Sequence, residues 1–540
     1  MPSLRGRLIF WPAAWPLIAL IPLLITAAPH SPLAHDAGYY SLQARWLGQD
    51  HGWLAPLWFQ FPIFDRCIGA QWLMALALRL SGGQAWALEL PARLAALASL
   101  GLSGWLALRL LPGSFSQRRS AAVLTVALLA LTPLWLNYAH LATQDMLLLA
   151  VELAGLSAVL ACEPERSSPW VVLAGLSPGL AFLIKGFMVV LPLLAVAPYL
   201  VLERRWLLRR SGFWLGVLLG WLPVAAWLAL SIQHFGLPVV AGLWQKLLYL
   251  SGTDVYSAGP LYYLWNIPAN TAPWILAALA GWILLWRLPL NRGARLLLLL
   301  YPLLLLLLLS GFRTKTPYYG LQLTPWIAMA AAVAVRYWSS AIGRSLRRLD
   351  GVIALVGAAV LAAGVLLAWP DSPARLALAA GSGLPPLPFL TLAAIGLGIS
   401  WLLVPLAATP RHRQLALLLG PWLALALLVQ GGLFSDRSPA TRLALAPAPV
   451  RSLLAAGPIQ AAMASPLSGD DHAQLILLAL ATNPAASQLL HPETVPPGQR
   501  VWVRRSDLKD ESAWQVDLEA PALQGWVLAQ RRPRAAGWSP

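Results

Sequence analysis

Apolar runs of about twenty residues recur along this chain, and they restrict its fold more than any single motif does. Between positions 296 and 309 every residue is leucine except Tyr301 and Pro302. A helix built from that stretch has no polar face, so lipid is the solvent that suits it. Only 11% of the 540 residues are charged, 59% are hydrophobic, and the mean hydropathy is +0.66. Soluble domains carry about 25% charged residues, so the chain reads as a polytopic membrane protein.

By length and hydropathy the sequence predicts about thirteen spans, near 8–28, 91–111, 120–140, 145–162, 170–184, 187–202, 212–234, 262–286, 295–311, 317–338, 352–369, 387–408 and 414–433. The first is longer than a signal-peptide core and lacks a small-residue cleavage site, so it reads as a retained helix. The segment 67–80 is too short to cross and carries Gln71 and Arg79, which suits a helix lying at the interface. With the N-terminus inside, the short loops holding Arg118-Arg119, Arg166, Arg204-Arg205, Arg209-Arg210, Arg287, Arg292, Arg344, Arg347-Arg348, Arg411 and Arg413 are all cytoplasmic. That pattern explains the net charge of +17 without nucleic acid. Cys67 and Cys162 fall on opposite sides, so no disulfide is expected.

The expected fold class is therefore all-α and polytopic, with interfacial helices in an external loop at 29–90 and a small C-terminal periplasmic α/β domain. The domains read as 1–433 in the membrane and 434–540 outside it. In the latter, Asp470-Asp471-His472 and the stretch 500–510 read as solvent-facing, and 501–505, 514–518 and 526–531 are rich in β-formers.

This topology gathers scattered charges on the external face. His35-Asp36-Ala37-Gly38-Tyr39-Tyr40 follows the first span, and Asp36 is either a functional carboxylate or a helix cap. Asp145, in Ala142-Thr143-Gln144-Asp145-Met146, has the same two readings. Lys185 interrupts an apolar stretch, where it must snorkel, pair with a carboxylate or bind an anion. Arg313-Thr314-Lys315-Thr316-Pro317-Tyr318-Tyr319 sets two cations beside two tyrosines, either as an interfacial anchor or as an anion site. Arg66 stands next to Asp65. Cations facing outward favour phosphate or pyrophosphate, and the lipid setting favours a ligand with a hydrocarbon tail.

In order and spacing over roughly 5–340 these segments resemble the C-type (GT-C) glycosyltransferases. The resemblance is to the protein O-mannosyltransferase-like group and the aminoarabinose transferases that modify lipid A, in a bacterial, even cyanobacterial, member. The segments that carry it are Asp36 with Tyr40, Phe64-Asp65-Arg66-Cys67, Ala142–Met146, Ile184-Lys185-Gly186 and Thr314-Lys315-Thr316-Pro317-Tyr318-Tyr319. Two departures stand out. Ala37 takes the place of a second acidic residue, and Ser257-Ala258-Gly259-Pro260-Leu261-Tyr262-Tyr263 lacks the histidine that family members link to a metal.

The resemblance implies an enzyme that moves a sugar from a polyprenyl-phosphate donor to a lipid, protein or glycan acceptor at the periplasmic face of the bacterial inner membrane. Asp36 is implied as general base, with Asp145 assisting. Arg66, Lys185, Arg313 and Lys315 are implied as donor-phosphate ligands, and Tyr40, Asp65, Tyr262, Tyr318 and Tyr319 as substrate contacts. No cofactor is assigned, a divalent metal is left open, and a monomer is expected. The competing readings are a flippase or transporter for lipid-linked saccharides and a non-catalytic assembly protein. A transporter places its polar residues at mid-membrane, whereas these cluster at the outer face.

Overall fold

A computed structural model describes residues 11–47, 52–165, 168–252, 258–340, 344–370, 372, 386–464, 468–482 and 488–533. Arg166, used above in assigning sides, and Ser257 lie outside the described residues.

The chain folds into a helical bundle whose two ends differ. The elements used below are α1 (Trp11–Leu24), α2 (Tyr39–Trp46), α3 (Gly69–Leu80), α4 (Leu90–Leu110), α5 (Phe115–Ala130), α6 (Pro133–Ala139), α7 (Asp145–Ala161), α8 (Pro169–Lys185), α9 (Val190–Glu203), α10 (Ser211–Phe235), α11 (Pro238–Gly252), α12 (Tyr262–Thr271) and α13 (Trp274–Arg287). The later long helices are Arg292–Gly311, Pro317–Ser340, Arg344–Ala368, Leu387–Leu406 and Pro410–Gln430, with 3₁₀ segments at Pro317–Leu323 and Val404–Leu406. Among the described residues eight helical segments are long and apolar enough to cross a membrane, or ten if each of two bent pairs is one span.

The bent pairs correct two expected spans. The stretch 120–140 breaks between α5 and α6 by 67°, and 262–286 breaks between α12 and α13 by 111°. Proline is the cause in both. Pro133 and Pro273 have no N–H to continue the helical ladder, and each disfavours helical geometry in the residue before it. The segment 169–203 is apolar for 35 residues yet is a hairpin. Arg204, just past α9, donates to the Cys162 carbonyl just past α7 (3.2 Å), so α9 returns to the level that α8 left. Gly186 makes the reversal with φ +58°, a conformation that suits glycine.

The arginine-bearing turns lie at one end. There Arg292 pairs with Glu203 (3.5 Å) and Arg413 with Asp350 (3.5 Å). Cys162 sits at this end and Cys67 at the other, both free and buried. Helix α3 has twelve residues, about 18 Å, which is too short to cross a bilayer. It packs at the end opposite the arginines, against α8. A cap or a short run of leucine does not fix its depth; its neighbours do. Gly69 admits α3 against α8, since a Cβ there would stand 2.7 Å from the Leu183 carbonyl oxygen.

Beyond Gln430 the chain leaves the bundle and forms a five-stranded mixed sheet whose strands lie side by side in the order Leu489–Leu490, Gln460–Ala462, Arg500–Arg504, Trp526–Arg531 and Trp514–Glu519. The sheet and helix Gly469–Ala481 share a core with the first loop, in which Leu42, Trp46 and Phe59 pack with Leu475, Trp502 and Trp526. The C-terminal region is thus seated on the segment that carries Asp36.

Candidate active site

A cavity of about 690 Å³ opens at that junction. Asp36 lies on its wall in a turn closed by the Gly38 N–H donating to the Leu33 carbonyl (2.7 Å). Its backbone is at φ 58°, ψ −86°, costly for a residue with a Cβ. The cap reading fails, because α2 has Gly38 at its N-cap and no side-chain cap hydrogen bond. Among the described residues the Asp36 carboxylate has no hydrogen-bond or ion-pair partner. It is half-buried and faces the cavity.

The cations opposite are held by carboxylates. Arg66 donates through Nε and Nη2 to the two Asp65 oxygens (2.7 and 2.6 Å), with its guanidinium over the rings of Tyr39 (4.8 Å) and Tyr40 (4.9 Å). Lys246 of α11 stands 3.8 Å from Asp65. Burial acts to raise the Asp65 carboxyl, but Arg66 and Lys246 outweigh it and hold the group below its ordinary value. Lys185, at the C-terminus of α8, donates to Asp145 at the first turn of α7, and its ammonium lies 4.4 Å from the Tyr318 ring centre. Asp145 is therefore an ion-pair partner and not a cap, and its own N-cap is Gln144. Two turns further into α7, Gln322 donates to Glu152 (2.8 Å), a half-buried carboxyl that the motif reading missed.

Three expected contacts are placed differently. Lys315 lines the cavity but is buried, and its ammonium donates to the carbonyls of Leu309 (3.2 Å), Ser310 (2.7 Å) and Phe312. These are the orphan acceptors at the end of helix Arg292–Gly311, so all three lysine donors are used in capping. Arg313 is exposed and borders a separate groove of leucines, where its stem covers apolar surface. Tyr262 does not line the cavity; its hydroxyl accepts from Asn266 (3.0 Å). Its neighbour Tyr263 braces the 314–316 loop instead, donating to the Thr316 carbonyl (3.2 Å). Tyr40, Asp65, Tyr318 and Tyr319 do line the cavity.

Sequence reasoning missed Tyr138, Lys246 and His472 on these walls. His472 corrects the solvent-facing reading of Asp470-Asp471-His472. Its ring packs on Trp58 (4.5 Å) and stacks near His35 (6.0 Å). Burial, with His35 nearby, lowers its pKa, so it is neutral at neutral pH. Ser468, which caps helix Gly469–Ala481 by accepting from the Asp471 N–H, marks where that helix starts but not the cavity His472 reaches. Among the described residues no three His, Cys, Asp or Glu side chains lie close enough to share a metal ion.

This arrangement is a class of site: a membrane-boundary cavity with one unpaired carboxylate and three carboxylate-held cations, Arg66, Lys185 and Lys246. Comparison with known proteins gives it a family setting. Residues 65–229 match the model for the dolichyl-phosphate-mannose-protein mannosyltransferase family. The undecaprenyl phosphate-alpha-4-amino-4-deoxy-L-arabinose arabinosyl transferase of Edwardsiella ictaluri is 28% identical over 62% of this chain and 61% of its own length. Transferase 1 of the same kind from Pseudomonas fluorescens is 26% identical over 65% and 62%. The matched part thus spans about three fifths of these curated relatives. The crystal structure of ArnT from Cupriavidus metallidurans bound to undecaprenyl phosphate superposes with a TM-score of 0.71 over 98% of both chains, at 19% identity. The apo form gives the same score over 97% of this chain. The fold is that of ArnT, and in sequence the chain is similar to the aminoarabinose transferases.

Proposed function

We propose that the chain is an integral membrane glycosyltransferase of the GT-C type. It moves a sugar from a polyprenyl-phosphate donor to an envelope acceptor, at the periplasmic face of the bacterial plasma membrane. The observation that carries this reading is the unpaired Asp36 carboxylate, held in strained backbone across the cavity from Arg66 and Lys185. The sequence and fold likeness to undecaprenyl-phosphate aminoarabinose transferases supports it. A transmembrane domain 1–433 with thirteen spans and a periplasmic domain 434–540 fit the alternation of helix ends, with the arginine-rich turns at the cytoplasmic side.

In the reaction so read, Asp36 takes the proton of the acceptor hydroxyl as its oxygen attacks the anomeric carbon. The bond from that carbon to the phosphate oxygen breaks, and its electron pair leaves on polyprenyl phosphate. Arg66 and Lys185 stabilise the charge that grows on the leaving phosphate, so little acid assistance is needed. A single displacement inverts the anomeric configuration. Asp145 keeps Lys185 aimed at the cavity and compensates its charge, while Tyr318 offers the ammonium a ring face. Lys315 shapes the rim by ending its helix and does not reach the phosphate. No step is routed through a metal, because the described residues do not form a ligand set.

The test is transfer of a labelled sugar from its polyprenyl-phosphate carrier by the purified protein to extracted envelope lipids, proteins and glycans. Unlabelled undecaprenyl phosphate should compete with the donor. Absence of transfer to every acceptor fraction, with the donor bound, would contradict the enzyme reading and favour a transporter.

A further inference from the structure

The C-terminal region reaches the cavity that holds Asp36 through one helix, Gly469–Ala481. His472, Ile476 and Leu480 share a face of it, because residues four apart stand one above the other on a helix. Ile476 and Leu480 pack on the first loop, and His472 reaches the cavity wall. We propose that His472 hydrogen-bonds a hydroxyl of the donor sugar and so helps to select which sugar is transferred. The proposal rests on the transferase reading and deepens it, since it gives the C-terminal region a part in donor recognition.

Packing fixes the imidazole relative to Asp36. A Cβ on Gly38, two residues past Asp36, would stand 2.8 Å from Ile476 Cγ2 and 3.4 Å from Leu480 Cδ1, so glycine lets the helix seat against the Asp36 turn. Near the end of that helix, Arg45 of α2 donates to the Leu480 carbonyl (2.7 Å). Gln60 pairs with the Leu489 backbone in both directions, accepting from its N–H (2.9 Å) and donating to its carbonyl (3.2 Å). Directional contacts of this kind leave the helix little freedom to slide along the first loop. Around the imidazole lie the rings of Trp58 (centres 4.5 Å apart), Tyr39 (6.0 Å) and His35 (6.0 Å), the last being the residue before Asp36.

The ring so held still has hydrogen bonds to offer. Among the described residues neither nitrogen of the His472 ring has a hydrogen-bond partner, and neither is sealed from the cavity. Neutral imidazole carries one donor and one acceptor. A phosphate oxygen can use only the donor and an ammonium only the acceptor, whereas a hydroxyl uses both. The group that suits His472 is therefore a hydroxyl. Its position points to the donor as the owner. Tyr39, Arg66 and His472 line the same cavity, and the Tyr39 ring touches both the His472 ring and the Arg66 guanidinium (4.8 Å). A sugar is about as wide as that phenol ring. One esterified to a phosphate at Arg66 covers Tyr39 and carries a hydroxyl to His472.

The experiment is native mass spectrometry of the full chain in nanodiscs, with undecaprenyl phosphate competing against its esters of glucose, mannose, galactose and arabinose. Retention of the bare carrier reports the fold and the phosphate-binding cations, so the ratio of ester to carrier isolates the sugar contact. His472→Phe keeps an aromatic ring on Trp58 and should lower that ratio about fivefold for at least one ester, the size of one net neutral hydrogen bond. His472→Gln, whose amide both donates and accepts, should recover part of the loss. A ratio that His472→Phe leaves unchanged for every ester would overturn the contact. A fall of carrier and esters together would also overturn it, because that marks a structural role. If the parent retains no ester, the contact and the donor reading fall together. Transfer that is absent while the ratio still depends on His472 would contradict the enzyme reading alone. An unchanged ratio with transfer intact would contradict only the contact.

Discussion

The two lysine-bearing borders of the cavity, around 185 and around 315, look alike in sequence and differ in the structure. Each lysine ends an apolar helix at the same end of the bundle, and each has aromatic neighbours. Lys185 extends past its helix terminus to Asp145 and Tyr318. Lys315 folds back onto the last carbonyls of the helix before it. The difference lies in what precedes each. Gly186 lets α8 stop and α9 start again, leaving Lys185 free to reach across. The helix Arg292–Gly311 ends without a Schellman glycine turn in the left-handed conformation, so its carbonyls need an outside donor. The hydrogen-bond needs of the backbone decide which lysine is left for chemistry.

Variants that separate the two borders sharpen the comparison. Lys185→Met should give the larger effect, a fall in transfer of about 10²–10³ from the lost charge on the leaving phosphate. It also leaves Asp145 buried without its partner, which costs about 3–5 kcal/mol of stability. Measuring kcat beside thermal unfolding distinguishes the two losses. Lys315→Met should lower stability by about 1–2 kcal/mol, the worth of a helix cap with buried acceptors, while kcat per folded molecule changes little. A fall in kcat as large as that of Lys185→Met would undo the capping account. Arg313→Gln should be silent in both assays, since the side chain is exposed and outside the cavity.

The Arg66–Asp65 pair predicts a pH dependence. Asp65 is held below its ordinary value, so its charge favours the folded state. That contribution is present above pH of about 4 and is lost as pH falls through the lower folded value. Donor binding followed from pH 7 to 5 should therefore lose nothing through this pair, and Asp65→Asn should make Arg66-dependent binding weaker across that whole range. Binding that falls steeply between pH 6 and 5, and does so only when Asp65 is present, would contradict this.

Much of the fold was legible because lipid solvation demands long apolar helices, which 296–309 and 352–368 display without ambiguity. The breaks at Pro133 and Pro273 were also written in the residues, but hydropathy averages over them. Asp36, Arg66, Asp145 and Lys185 could be picked out because each is an ionic residue at an apolar boundary. Lys246, Tyr138 and His472 carried no such mark. They reach the cavity from α11, α6 and the C-terminal helix through packing across hundreds of residues, and no local pattern encodes that. Arg313 and Lys315 were overread for the converse reason, since a charge beside an apolar helix also serves as an anchor or a cap.

The most direct test of the account is the rate of sugar transfer by Asp36→Asn with bound donor measured in the same sample. The substitution keeps size and polarity and removes the basic oxygen. The account predicts a fall in kcat of about 10²–10⁴ with donor affinity retained. Transfer at the parental rate would show that Asp36 is not the base and would remove the central assignment.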